Sequence, residues 1–218
     1  NKDSLRMSRA DLTFYIREFY SYSKPLFIYS MISAIVVVFD KWLLQRYGGG
    51  LEQGLFTLSY QIGAVCLLFT SAMTSLITRE FSIAHGENQN EELIRLFRRY
   101  IPVLYSFVSF ISCFIAINSD IVISIFAGDN YQAAYGTMFL MAFYPIHQTY
   151  GQLSGALFYA SGRTKLYGRI GIFFMLLGIP ITYLTIAGTS DYGFELGSKG
   201  LAIKMLLIQF LAVNVQLY

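Results

Sequence analysis

Charge is what this sequence has least of. Only 13% of its 218 residues are Asp, Glu, Lys or Arg, whereas a soluble domain runs near a quarter. Apolar residues fill the gap at 55%, and the mean hydropathy is +0.51. A chain this short has too little interior to hide that much apolar surface from water, so a soluble globular domain is excluded. The net charge of +3 is too small to argue for nucleic acid. Cysteine is nearly absent. Cys66 and Cys113 each lie in an apolar run and read as small buried hydrophobes, not as a disulfide pair or metal ligands. The usual catalytic signatures are missing too. Gly197-Ser198-Lys199 lacks the glycine spacing of a phosphate-binding loop, and there is no GxSxG elbow. No His, Cys and carboxylate set has metal-ligand spacing; His85 has Glu87 near it, but in a turn. The expectation is a protein that is not an enzyme and needs no cofactor.

What is present is long apolar runs. About 20 mostly apolar residues are needed to cross a hydrocarbon layer of about 30 Å. Six stretches qualify: helix A near 25–44, B near 55–78, C near 101–116 with an apolar extension at 121–127, D near 134–160, E near 170–187, and F from about 201 to the end. The reading is an all-α integral membrane protein of about six transmembrane helices. The stretch 1–24 reads as a cytoplasmic connector carrying an amphipathic helix at 11–22, where Leu12, Phe14, Tyr15, Phe19 and Tyr22 mix with Arg17 and Glu18. Residues 25–218 form the membrane lobe. The first residue is Asn1, no apolar signal core follows it, and the final run has no polar close, so an internal fragment of a longer chain is expected, its last helix incomplete.

Charge placement supports the count of six. Lys2, Arg6, Arg9, Arg17 and Lys24 precede A; Arg79, Arg95, Arg98 and Arg99 lie between B and C; Arg163, Lys165 and Arg169 lie between D and E. Those three segments hold twelve of the sixteen basic residues. Cytoplasmic loops collect Lys and Arg, so these segments face the cytoplasm and the A–B, C–D and E–F turns face outward. Trp42, Tyr47, Tyr131 and Tyr167 sit where spans should end, as interfacial aromatics do. Glu91 and Glu92 lead, and Arg95, Arg98 and Arg99 trail, in a helix that suits the helix dipole and allows a Glu91–Arg95 pair.

A charge inside a span costs about 2.5–3.5 kcal/mol on insertion scales, so polar residues there are the functional candidates. Asp40 and Lys41 end helix A. They either face a hydrated cavity and touch substrate or ion, or Lys41 snorkels and Asp40 pairs with it or with a neighbouring helix. Helix B carries Gln61, deep enough that its amide needs a partner, and Ser71 and Ser75 as a small-residue packing pair. Arg79 and Glu80 at its exit either bind an anionic headgroup or anchor the helix. Helix D is the most polar span, with His147, Gln148 and Gln152. Pro145 should kink it, and Gly151 and Gly155 make a close-packing face. His147 either titrates near neutral pH or is simply held between helices. Arg163 and Lys165 either grip phosphate or mark a cytoplasmic turn. Lys204 near the start of F can snorkel.

Several strings, in order and spacing, resemble one superfamily, the multidrug/oligosaccharidyl-lipid/polysaccharide (MOP) exporters, and within it the Wzx-type oligosaccharide flippases. They are Asp40-Lys41-Trp42-Leu43-Leu44, Tyr47-Gly48-Gly49, Gly54 to Ile62, Phe69 to Met73 with Arg79-Glu80-Phe81, Phe126-Ala127-Gly128, and Gly151-Gln152 through Lys165. The resemblance implies one six-helix lobe, the second, of a two-lobe MATE-like transporter in the bacterial inner membrane. It implies movement of an undecaprenyl-pyrophosphate-linked oligosaccharide, an O-antigen or other polysaccharide repeat unit, across the membrane by alternating access. It also implies a cationic cavity, with Lys41, Arg79 and Arg163 as cations and Asp40 as acid at matching positions. Implied partners are the lipid-linked oligosaccharide, membrane lipids, the first lobe of the same chain and polysaccharide polymerase machinery. The alternative is a cation-coupled multidrug exporter of the same superfamily; a membrane glycosyl- or acyltransferase is a more distant one.

Overall fold

The structure, a computed structural model, describes residues 9–217. Lys2 and Arg6 of the first basic group lie outside the described residues. Eight α-helices occur there: α1 (Arg9–Val65), α2 (Leu67–Gly86), α3 (Asn90–Ile117), α4 (Ser119–Ala127), α5 (Tyr135–Met141), α6 (Tyr144–Ala160), α7 (Thr164–Ile186) and α8 (Gly197–Leu217). Short 3₁₀ turns at Asp129–Ala134 and Thr189–Asp191 join α4 to α5 and α7 to α8.

The helix α1 is two arms folded back on each other at Gly49, whose φ of 75° and ψ of −178° fall in a region open essentially only to glycine. Val37, Asp40 and Lys41 of the first arm therefore face Phe56, Thr57 and Tyr60 of the second. The first arm runs through Pro25 without a break, so the amphipathic segment continues helix A instead of turning at Pro25. At about 1.5 Å per residue it is about 60 Å long, twice the hydrocarbon thickness. The excess lies at its N-terminal end, before Pro25.

Six crossings result: the first arm of α1; its second arm with α2; α3; α5 with α6; α7; and α8. Four single helices are long and apolar enough to span, α1, α3, α7 and α8. The B and D crossings are each built from two shorter helices, because each is broken midway. The D break at Ala142 and Phe143 follows from Pro145, which cannot donate to the Met141 carbonyl. The B break at Cys66 lies beside it. B and D run parallel, in a register fixed by Thr70 and Thr149, whose hydroxyls are 3.3 Å apart. The Met141 carbonyl oxygen, freed by Pro145, lies 3.0 Å from where a side chain on Gly63 would begin. The two breaks nest, and only glycine at 63 leaves room.

Close packing elsewhere also uses glycine. On α7, Gly168 meets the Pro25 carbonyl, the Tyr29 ring lies against Gly171, and Gly178 makes room for the Lys204 side chain. On α6, Gly151 takes Gln209 and Val213 of α8, and Gly155 takes the Tyr167 ring, so the expected close-packing face of helix D is there. The opposite faces are apolar and bare. Phe27, Met31, Ile35 and Val38 of α1, and Phe107, Phe110, Phe114 and Ile117 of α3, repeat at helical spacing and are all exposed. In water such stripes would aggregate; against lipid they need no cover.

Some expectations fail locally. Ser71 and Ser75 do not pack a helix closely; both are exposed. Three helix B hydroxyls bond their own backbone: Ser59 to the Leu55 carbonyl, Thr74 to the Thr70 carbonyl and Thr78 to the Thr74 carbonyl. Arg95 pairs with Glu92 at 2.6 Å, one residue nearer than the expected Glu91. The segment from Glu91 is continuous with helix C in α3, and the acids do occupy its first turn.

Candidate functional site

From the outer hairpin at Gly49 the two arms part. The first arm of α1 lies along α7 and α8, whereas α2 lies along α6. Two separate cavities, which share no lining residue, open among these helices, and polar residues collect at each.

The outer group centres on Asp40. Its carboxylate is buried, accepts a hydrogen bond from Thr182 Oγ1 of α7 at 2.8 Å, and pairs with Lys204 Nζ of α8 at 2.6 Å. Lys204 is only 6% exposed. It does not snorkel, because Gly178 opposite leaves space for its stem, the Cε lying 2.8 Å from where a side chain on Gly178 would begin. Asp40 thus pairs with a neighbouring helix and not with Lys41. Removing one partner of such a pair strands a buried charge, at about 3–5 kcal/mol. Lys41 is exposed and makes no ion pair among the described residues. It lines a cavity of about 130 Å³ with Asp40, Thr57, Tyr60 and Met205.

The inner group is a second cavity of about 130 Å³ bounded by α1, α6, α7 and α8. Gln148 and Gln152 of α6 line it, with Gln209 and Gln216 of α8, Tyr29 of α1 and Tyr167 of α7. Gln148 Oε1 accepts from the Tyr144 hydroxyl at 3.3 Å. Gln216 Oε1 accepts from Ser154 at 2.9 Å. Gln152 Nε2 reaches Ser71 of α2 at 3.4 Å, while its Oε1 is buried without a partner. Tyr60 stands 6.1 Å from Tyr144, ring to ring, and so links the outer group to the inner one.

The remaining candidates lie elsewhere. Gln61 is exposed on the second arm of α1, and the partner expected for its amide is absent among the described residues. His147 packs its ring edge-on against Phe210, 5.1 Å away, as a residue held between α6 and α8. Arg79 and Glu80 are exposed in the C-terminal half of α2. The Tyr100 hydroxyl donates to Glu80 at 2.6 Å, tying α3 to α2. Arg163 and Lys165 are exposed at a hollow of about 590 Å³ that Glu18, Ser21 and Tyr22 also line. Thr164 donates to the Tyr22 carbonyl at 3.1 Å, tying the α6–α7 turn to α1.

The structure therefore places Asp40 and Lys41 at one cavity and Gln148 and Gln152 at another, and leaves Gln61, Arg79, Glu80, His147, Arg163 and Lys165 outside both. Sequence reasoning missed Thr182, Gln209, Gln216 and Tyr29, and misjudged Lys204. One signal was available: Gln209 and Gln216 are seven residues apart, on one face of an otherwise apolar helix.

No protein-family profile and no curated protein sequence matches the chain. Solved structures do. An outward-facing multidrug resistance MATE family transporter of the MOP superfamily superposes with a TM-score of 0.81 at 17% identity, over 99% of this chain and 47% of that one. A MATE transporter in complex with MaD3S gives 0.83 at 18% identity, over 99% and 46%. A MOP superfamily transporter from Pyrococcus furiosus Vc1 (DSM3638), described as having a binding pocket of reverse polarity that suggests a different function, gives 0.78 at 18% identity, over 98% and 46%. At such identity the likeness is one of fold. The chain has the fold of one lobe of a MATE-like transporter and spans about half the length of the transporters it matches.

Proposed function

We propose that this chain is one lobe of a flippase that moves a lipid-linked oligosaccharide across a bacterial inner membrane. The physical task is to carry a polar headgroup past about 30 Å of hydrocarbon while the lipid tail stays in lipid. The observation that carries the reading is the charge inventory of the two cavities. Their one carboxylate, Asp40, is engaged by Lys204 and Thr182. What remains is neutral amides, phenols and one unpaired cation, Lys41. A lining of that kind suits a headgroup made of neutral sugars and an anionic pyrophosphate. In this reading Lys41 meets the phosphate, the glutamines meet sugars, and Arg163 and Lys165 form a first contact on the cytoplasmic side. The first lobe of the same full-length chain supplies the other wall, and polysaccharide polymerase machinery takes the product.

A cation-coupled drug exporter is the second reading, favoured by the likeness to multidrug MATE transporters. It needs a free buried acid, and Asp40 is the only acid within the six apolar stretches of this lobe. The discriminating experiment expresses the full-length parent in a strain lacking its own oligosaccharide flippase, beside Lys41→Ala at matched expression. Surface polysaccharide restored by wild type but not by the variant, with lipid-linked precursor building up inside, supports the proposal. Failure to restore polymer with a matched sugar, together with protection against cationic drugs, overturns it in favour of the exporter.

A further inference from the structure

The inner cavity contains no charged residue, and that narrows what it can recognise. Four carboxamides and two phenols converge on it. A carboxamide carries two donors and an acceptor in fixed geometry, and a sugar hydroxyl both donates and accepts. An ion would draw opposite charge into the wall; a hydrophobic drug would need no glutamines. The hydrogen bonds already made leave complementary groups free. The carbonyl oxygens of Gln148 and Gln216 are engaged by Tyr144 and Ser154, which leaves their amide hydrogens for a ligand. Gln152 is reversed: its amide holds Ser71, and its buried carbonyl oxygen has no partner. The Tyr29 and Tyr167 rings, with centroids 5.5 Å apart, add flat apolar surface beside the amides.

From this we infer that the inner cavity is a carbohydrate subsite that takes one sugar ring of the transported headgroup. The inference rests on the flippase reading and adds the residues that select the sugar. The size agrees: about 130 Å³, where one water needs roughly 10–15 Å³ by the same kind of measure, is the scale of a single ring. Selection by hydrogen bonding also fits the position, since a site built around polar groups rejects a ligand that leaves them unpaired more strongly than an apolar pocket rejects a misfit.

The test uses the purified full-length transporter in lipid nanodiscs. The probes are undecaprenyl pyrophosphate alone and the same lipid carrying one glucose, galactose, N-acetylglucosamine or N-acetylgalactosamine. The expected result is that all bind and that at least one sugar-bearing lipid binds roughly tenfold tighter than the bare lipid. Gln152→Leu and Gln209→Leu then remove that preference and leave bare-lipid binding unchanged, while Lys41→Ala weakens every probe alike. Gly151→Ala gives a second route to the same outcome, because its methyl would meet the Gln209 amide at 2.9 Å. Binding of all lipids with no sugar preference, or a preference that survives the glutamine variants, overturns the subsite, marks the cavity as one filled by water only, and leaves the flippase reading standing. Failure of every lipid to bind removes both.

Discussion

Replacing Lys204 by methionine keeps the length of the stem and removes the ammonium. Asp40 then holds a buried negative charge with only the Thr182 hydroxyl to answer it. At the observed 2.6 Å separation and an effective dielectric constant near 20, the lost attraction is about 6 kcal/mol. Part of it is offset because the lysine no longer has to be desolvated, which costs several kcal/mol per ion. The expected net loss is about 3–5 kcal/mol, the usual result of removing one member of a buried pair. Asp40→Asn alone should cost a similar amount by stranding Lys204. The double variant, Asp40→Asn with Lys204→Met, leaves no buried charge and should lose only about 1 kcal/mol, since neutral replacement of a buried pair is often nearly free. Chemical unfolding of the full-length protein in detergent, run as a double-mutant cycle, reads the coupling directly. Single variants within about 1 kcal/mol of wild type, or a double variant as unstable as the two singles added together, would refute the claim that Asp40 and Lys204 are buried partners.

Three further expectations follow from the backbone and the cytoplasmic end. Gly49→Ala should cost about 1–3 kcal/mol because its backbone conformation suits only glycine, while Gly50→Ala, with open space around it, should stay within about 0.5 kcal/mol; the same unfolding assay compares them. Gly171→Ala places a methyl against the Tyr29 ring and should destabilise by about 1–3 kcal/mol through overpacking, with Tyr29→Leu in the same chain recovering most of the loss. Glu80→Ala removes the acceptor of the Tyr100 hydroxyl and should cost about 0.5–1.5 kcal/mol in the same assay; Tyr100→Phe added to that variant should cost little more, and a further loss as large as the first would show that the hydrogen bond to Glu80 is not made.

The spans were legible in the sequence because lipid imposes one rule on every one of them, and the order of basic segments implies a direction for them. Pro145 announced the break in helix D by its missing donor. The matching break at Cys66 had no such sign, because no proline lies near it; it becomes intelligible only once Gly63 is seen against the carbonyl that Pro145 releases. Asp40 stood out by the cost of its charge. Its partner did not, because whether Lys204 snorkels or stays buried is decided by Gly178 on another helix, a contact between residues 26 positions apart that no local pattern encodes. The same holds for the inner cavity. Its amides arrive from α6 and α8, and only the α6 pair sits in a visibly polar run.

The central claim is that this lobe walls a path for a sugar-bearing lipid headgroup. Its most direct measurement reconstitutes the full-length transporter in liposomes with a fluorescent lipid-linked oligosaccharide in both leaflets and follows the fraction accessible to a membrane-impermeant quencher. The account predicts a rise from about half to nearly all of the label as the inner-leaflet pool is exposed, slowed at least tenfold by Lys41→Ala. An accessible fraction that stays at half with folded wild-type protein, while a cationic dye is moved across the same vesicles, would contradict it.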